Sequence, residues 1–74
     1  MSKAILTKID KLVTEAADTL RELADETRSK FDDMSEKAQE GERGQKVSDL
    51  ADSLEAAAYE LENAQSSIQA LIES

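Results

Sequence analysis

The sequence predicts an all-α fold, an antiparallel two-helix hairpin that completes a four-helix bundle by dimerisation. Three observations support this prediction: apolar residues recur at helical spacing in both halves of the chain, both glycines lie between those halves, and proline is absent. A domain of 74 residues buries only a modest fraction of its surface by itself. We therefore expect a second copy, in a homodimer, to cover the apolar residues that one hairpin leaves open.

The first helix is expected over about residues 3–38, with a break near 33–35 as the alternative. Its apolar residues recur eleven positions apart and form one stripe, because eleven residues make about three turns of an α-helix. The members of this stripe are Ile9, Leu12, Leu20, Leu23, Phe31 and Met34. Ile5 extends the stripe backwards, and Leu6 and Val13 widen it at its start.

The second helix is expected over about residues 46–73, where apolar residues repeat every seven positions. This is the a/d heptad pattern of a coiled coil over four repeats. The a positions are Val47, Leu54, Leu61 and Ile68, and the d positions are Leu50, Ala57, Ala64 and Leu71. Ala51, Ala58 and Ile72 widen this seam on one side. The small d residues in its middle are expected to let a neighbouring helix approach closely.

The turn between the helices is expected at about residues 39–45, because Gly41 and Gly44 are residues of the kind that end helices. In the alternative, the first helix ends earlier and Ser35 caps a short helix that starts at Glu36. A packed structural connection is favoured in either case, and a recognition loop presented by the helices is the functional alternative.

The chain is acidic, with a net charge of −8 from 17 acidic and 9 basic residues. Residues 47–74 contain six Asp or Glu and no Lys or Arg, whereas residues 1–30 contain six of each sign. This balance argues against direct binding to nucleic-acid phosphates and against binding to anionic membranes. It is compatible with a basic protein partner, although solubility alone also explains an acidic surface.

Catalytic, cofactor and metal sites are not expected. Cysteine and histidine are absent, which excludes disulfides and the usual zinc sites. A two-helix hairpin offers no pocket in which nucleophilic or acid–base groups converge, and the acidic residues near the turn lack the spacing of a calcium loop. The start of the chain does not have the pattern of a signal peptide, and no apolar run approaches about 18 residues. We therefore expect a cytoplasmic protein that is not an enzyme.

The second helix offers two candidate contacts for a partner. Tyr59 falls at heptad position f, opposite the seam, in a smooth and uncharged row. Acidic residues of the same helix could mimic nucleic-acid phosphates and bind a basic surface. These residues are Asp49, Asp52, Glu55, Glu60 and Glu62. In an antiparallel hairpin they could instead pair with Arg21, Arg28 and Lys30, which would lie roughly level with residues 55–64.

The central stretch of the chain resembles a pattern in small uncharacterised helical proteins of bacteriophages and prophages. That pattern has an aromatic residue, a Met, a Gln, a turn with two glycines and then an Ala-rich helix. The matching residues are Phe31, Met34, Glu36, Gln39, Gly41, Gly44, Gln45, Ala51, Leu54, Glu55, Ala57 and Ala58. Ser35 departs from the pattern, since those proteins often have Pro at this place. The resemblance implies a phage-type origin in a bacterial host cell and an interaction role, and it implies no activity.

The same stretch predicts how the connection packs. We expect Phe31 and Met34 to lie over the start of the second helix, near Leu50 and Leu54, while the glycines let the backbone reverse. The expected function is that of a small protein-interaction module that associates with itself through its apolar stripes. Two alternatives stay open: an acidic inhibitor that blocks a basic surface of a host protein, and a structural or assembly-chaperone component that binds a partner's helix.

Overall fold

The computed structural model describes residues 2–74, and every regular element in that range is helical. Helix α1 spans Lys3–Asp33, the short helix α2 spans Glu36–Glu40, and helix α3 spans Glu42–Glu73. The predicted all-α class is confirmed, and the two long helices pack along each other. No helix among the described residues combines the length and the apolar character needed to cross a membrane.

Capping residues set both ends of α1. Ser2 has an extended backbone, and its Oγ accepts a hydrogen bond from the backbone N–H of Ala4 at 3.2 Å, as expected of an N-cap. At the other end Met34 leaves the helix with φ −72° and ψ 148°, and its N–H donates to the backbone oxygen of Phe31 at 3.1 Å. Helix α1 therefore stops at Asp33 and does not continue to about residue 38.

The chain becomes helical again in α2 because Ser35 is a second N-cap. Its Oγ accepts a hydrogen bond from the backbone N–H of Ala38 at 3.2 Å. This is the alternative arrangement that the sequence allows, with a first break at residues 34–35. The second break, at Gly41, lies within the turn expected at residues 39–45. Gly41 ends α2 and also precedes α3 as its N-cap, with an extended backbone of φ −84° and ψ −179°. Helix α3 consequently begins at Glu42, ahead of the expected start near residue 46.

Gly44 does not end a helix, in contrast to the expectation from sequence. It lies in the first turn of α3 and is buried. A Cβ atom at this position would overlap the backbone oxygens of Gln39 and Ala38, at 2.5 Å from the Ala38 oxygen. Glycine is therefore needed here because the end of α2 rests directly on the backbone at the start of α3.

Phe31 and Met34 lie beside the start of α3, as expected, whereas Leu50, one of the two expected contacts, faces outwards. Phe31 lines a hollow together with Ala51, and Met34 lines another together with Val47. Leu50, an expected contact, leaves 53% of its surface exposed. The difference arises because the buried line of α3 passes through Ala51 and turns Leu50 outwards.

Contacts between α1 and α3 join late residues of α1 to early residues of α3. Three side-chain hydrogen-bonded pairs define the alignment: Arg28 with Glu55, Arg21 with Glu62, and Thr14 with Gln65. Residue numbers therefore rise along α1 while they fall along α3. We call these two helices the α1–α3 pair, and two residues are level when they lie at the same height along its length.

Alanines form the centre of the α1–α3 contact. Ala17, Ala24, Ala51 and Ala58 each expose 3% of their surface or less, and the two alanines of each helix are seven residues apart. Their small side chains allow the two backbones to approach closely, as alanines do at many helix contacts. The expected seam is thereby corrected: Ala51 and Ala58, expected at its edge, lie at its centre, and the d positions lie beside it.

The described part of the chain is elongated. Its principal dimensions are 54 × 14 × 12 Å, and its radius of gyration is 16.6 Å, whereas a compact domain of this length has about 11 Å. Two helices in contact have no third layer to cover their outward sides. Much apolar surface therefore stays in contact with solvent.

Candidate interaction surface

The stripe residues predicted from the sequence divide into two groups. One group is half-buried along the α1–α3 contact: Leu20, Phe31, Met34, Val47, Leu54, Leu61 and Ile68. In the other group each residue exposes between 38% and 58% of its surface: Ile9, Leu12, Leu23, Leu50 and Leu71. Ile5 belongs with the exposed group at 55%. Packing within one chain therefore accounts for the first group and leaves the second without contacts of the kind that apolar residues make in a core.

Two arginines mark one side of the α1–α3 pair. Arg21 and Arg28 each follow a buried alanine of α1 by four residues, which places them about 40° round the helix from it. Their partners Glu62 and Glu55 follow the buried alanines of α3 by the same interval. Asp52 joins them through Arg28. We call this side, made of these five residues, the ionic face.

The exposed apolar residues lie on the other side. Leu23 and Leu50 each precede a buried alanine by one residue, which places them about 100° round each helix in the opposite sense. Ile9 lies two heptads before Leu23 and Leu71 lies three heptads after Leu50, so both follow the same two rows. Because the ionic flanks of the two helices meet on one side, the apolar flanks meet on the other. Ile5 and Leu12 lie further round α1 on that same side. We call this side the apolar face: Ile5, Ile9, Leu12, Ala16, Leu23, Leu50, Ala57, Ala64 and Leu71.

The apolar face is not uniform along its length. Its end away from α2, which we call the open end, has the largest concentration of big side chains: Ile5, Ile9, Leu12 and Leu71. Alanines occupy the middle, where Ala16 of α1 is level with Ala64 of α3. Towards α2 the face has Leu23 and Leu50, and Lys30 then takes the place of an apolar residue seven positions after Leu23.

Hydrogen bonds tie the charges of the ionic face together. Arg21 donates from Nε to Oε1 of Glu62 at 2.6 Å, and its Nη2 forms an ion pair with the same oxygen, also at 2.6 Å. Arg28 donates from Nε to Oε1 of Glu55 at 2.7 Å and from Nη2 to Oδ1 of Asp52 at 3.0 Å. The hydrogen bond from Arg21 lowers the pKa of Glu62, and the one from Arg28 lowers the pKa of Glu55. The expected pairing between the helices is thus confirmed for Arg21 and Arg28.

The acidic residues predicted as partner contacts do not form one free surface. Asp52, Glu55 and Glu62 already pair with arginines of the same chain. Asp49 accepts a hydrogen bond from the side-chain amide of its neighbour on α3, Gln45, at 2.9 Å. An acidic surface for a basic partner is therefore partly neutralised within the chain itself.

Tyr59 and Glu60 are both exposed on α3, and Tyr59 exposes 63% of its surface. Tyr59 lies between the two glutamates of the ionic face along the helix, three residues before Glu62. This position is about 140° round α3 from the row of Leu50 and Leu71. The tyrosine is therefore an isolated exposed aromatic on the side away from the apolar face.

Asp10 introduces a carboxylate into the α1–α3 contact near the open end. It precedes Ala17 by seven residues, on the buried line of α1. Its Oδ1 is buried and has no hydrogen-bond partner within residues 2–74. The neighbouring Thr14, in contrast, donates to the backbone oxygen of Asp10 at 2.8 Å and accepts from Gln65 at 2.6 Å. A buried oxygen without a donor is destabilising, so Asp10 is a weak point of the contact.

The part of the chain that the structure describes contains no group of three or more Asp, Glu, His or Cys side chains placed to hold a metal ion. Comparisons with protein-family models, with curated proteins and with solved structures gave no match.

Proposed function

We propose that the chain is a small non-enzymatic protein-interaction module, an antiparallel helical hairpin that binds a second copy through its apolar face. The two hairpins then form a homodimeric four-helix bundle. The observation that carries this proposal is that the large exposed aliphatic residues of both long helices lie on one side of the α1–α3 pair. Because two helices contribute, the complementary surface is itself a pair of helices, which a second copy supplies.

The exposed area supports the same proposal. The chain exposes 5486 Å², whereas a compact protein of 8.1 kDa exposes about 4,500 Å². The excess of about 1,000 Å² is close to the ~800 Å² that each partner buries in an interface of standard size. A second copy on the apolar face therefore suffices to bring the exposed area to the value for a compact protein.

The acidic-inhibitor alternative has less support from the geometry. Three of the five acidic residues that would mimic phosphates are paired with Arg21 and Arg28. A partner's basic groups would have to displace these arginines, which offsets part of the binding free energy. The resemblance to phage proteins supports an interaction role in the cytoplasm of a bacterial host, and it favours no particular partner.

The proposal is tested by placing one charge on each side of the hairpin. Leu71 and Tyr59 belong to the same helix and expose 58% and 63% of their surfaces, but only Leu71 lies in the apolar face. Leu71→Glu would bury a carboxylate in each half of the dimer interface, at a free-energy cost of at least ~2 kcal/mol, or about 30-fold in the dissociation constant. Tyr59→Glu is the matched control. Sedimentation velocity over a concentration series measures both.

We expect Leu71→Glu to shift the protein to monomer at concentrations at which the unmodified chain and Tyr59→Glu are dimers. Leu12→Glu, at the same end of the apolar face on α1, should act in the same direction. Equal sedimentation of Leu71→Glu, Leu12→Glu and the unmodified chain as dimers would place the interface elsewhere and overturn the proposal. Loss of the dimer in Tyr59→Glu alone would move the interface to the side that contains the ionic face.

A further inference from the structure

We propose that the two hairpins in the dimer lie with their α2 ends together and their open ends together, so that α1 of each copy faces α3 of the other. This inference rests on the proposed function and concerns the arrangement of the second copy on the apolar face. The occupant of that face is a second copy of this chain, in one of the two orientations that a two-fold axis allows.

Two orientations satisfy two-fold symmetry when the apolar faces meet. If the axis runs along the hairpins, like ends come together and α1 faces the partner's α3. If the axis runs across them, unlike ends come together, so that α1 faces the partner's α1 and α3 faces the partner's α3. Neighbouring helices are antiparallel in both orientations, so helix dipoles do not distinguish them. Charge and side-chain size do.

The charge distribution favours the orientation with like ends together. Residues 47–74, which include most of α3, contain six acidic residues and no basic residue. Residues 1–30, which include most of α1, contain six acidic and six basic residues. With unlike ends together, the two α3 helices would lie side by side, and the acids that have no arginine partner among the described residues would repel those of the other copy. These are Asp49, Glu60 and Glu73, since Asp52, Glu55 and Glu62 pair with arginines on the ionic face. With like ends together, each α3 lies between two α1 helices that are neutral overall, and the two α3 helices occupy opposite corners of the bundle.

The sizes of the side chains favour the same orientation. At the open end Ile9 and Leu12 would face Leu71 of the copy, and in the middle Ala16 would face Ala64 of the copy. Large residues then meet large ones at the open end, while small residues allow close approach in the middle, which matches the way well-packed bundles fill space. The large apolar side chains at the open ends of both copies then form one shared apolar cluster.

The orientation with unlike ends together is unfavourable at both ends. With full overlap of the two hairpins, Ile5 and Ile9 of one copy would lie over the α2 end of the other copy. That end has Lys30 at the position of the apolar row, and Asp33 follows it. The arrangement would either leave the open-end isoleucines beside charged groups or require the hairpins to slide apart and expose the area again.

The chain contains no cysteine, so single cysteines can report the orientation. Lys37→Cys lies in α2, and Lys3→Cys lies at the open end of α1; both positions are exposed. Each variant is labelled with a nitroxide, and the distance between the two labels in the dimer is measured by double electron–electron resonance. Dilution of labelled with unlabelled chains verifies that a distance is between molecules, and sedimentation verifies that each variant is a dimer.

We expect both label pairs to give short distances of about 20–35 Å, two to three helix diameters. With unlike ends together, at least one label pair would be separated by roughly the 54 Å length of the hairpin. A long distance in a confirmed dimer would overturn the orientation and leave the proposed self-association standing. Absence of any intermolecular distance, together with a monomer mass, would overturn both.

Discussion

Small residues decide how closely the helices of this chain approach. Ala51 and Ala58 lie at the centre of the α1–α3 contact with almost no exposed surface, and Gly44 allows α2 to rest on the first turn of α3. Packing, and not backbone conformation, is the reason for glycine at position 44, because neither Gly44 nor Gly41 has a positive φ. The same substitution at Gly44 and at Gly41 should therefore have different results.

Gly44→Ala should destabilise the protein more than Gly41→Ala, which meets no overlap and loses only the preference for glycine over alanine at the N-cap of α3. The added Cβ at position 44 would overlap backbone oxygens, which cannot move without shifting α2, and overpacking of this kind costs about 1–3 kcal/mol. At position 41 the nearest atoms would be 3.6 Å away, an ordinary contact. Urea unfolding followed by circular dichroism, at one protein concentration, measures both. Equal stability of the two variants would contradict the packed connection.

The ion pairs of the ionic face should contribute stability that depends on pH. Because Arg21 lowers the pKa of Glu62 in the folded state below its ordinary value of 4.5, the pair stabilises the protein above that value. Its contribution is lost as the pH falls through the lowered pKa. Glu62→Gln should therefore unfold at a lower temperature than the unmodified chain at pH 7, and the difference should vanish near pH 2. Since both side chains are about half exposed, the difference should also shrink in high salt.

Glu60→Gln is the control for this prediction, because Glu60 lies two residues away and is exposed. Its melting temperature should follow that of the unmodified chain at both pH values, apart from a general effect of one charge. If Glu62→Gln and Glu60→Gln changed stability by the same amount at pH 7, the contribution would come from net charge and not from the pair with Arg21.

At the scale of the elements, α1 and α3 contact each other through a line of buried alanines, and Asp10 occupies one position of that line on α1. Asp10→Leu should stabilise the protein by about 1 kcal/mol or more, because it removes a buried oxygen that has no donor within residues 2–74. Asp18→Leu is the control, since Asp18 is exposed on the same helix and should change stability by less than about 0.5 kcal/mol. A loss of stability in Asp10→Leu would show that the carboxylate has a partner in solution.

The helices themselves could be predicted from the sequence with good reason. Both long segments lack proline, and α1 lacks glycine as well, while apolar residues recur at helical spacing along each. Patterns of this kind involve residues close in the chain, so they can be recognised without knowledge of how the helices pack. The pairing of Arg21 and Arg28 with residues of the second helix follows from the antiparallel arrangement alone.

The rotation of each helix about its axis could not be predicted in the same way. The large residues of the heptads, such as Leu50 and Leu54, predict a seam centred on them, whereas the buried line passes through Ala51 and Ala58. The apolar stripe is wide enough to contact both the other helix of the chain and a second copy, so the pattern alone does not indicate which edge of the stripe contacts which of them. The signal that identifies the inner edge is the pair of alanines seven residues apart, each followed four residues later by Glu55 or Glu62.

The connection could be predicted only in part because two kinds of helix-ending residue compete there. The glycines favour a turn at residues 39–45, whereas Ser35 favours the start of a new helix. In the structure Ser35 caps α2, and Met34 before it has an extended conformation. The role of Gly44 depends on contact with the backbone of α2. A contact of this kind is set by the tertiary structure and has no signature in the residues next to it.

At the scale of the whole molecule, the described chain, 54 Å long and only 14 Å wide, exposes more surface than a compact protein of its mass, and its large exposed aliphatic residues lie on the apolar face. We therefore expect a second copy to cover that side. Because folding and association are then linked, the stability of the protein should rise with its concentration.

The measurement that tests self-association most directly is the solution mass of the unmodified chain, determined by light scattering over a concentration series with circular dichroism on the same samples. We expect twice the mass of the 8.1 kDa chain and helix content that is retained for as long as the dimer persists on dilution. A monomer of high helix content at every concentration would contradict self-association, since the apolar face would then be stable in water without a second copy.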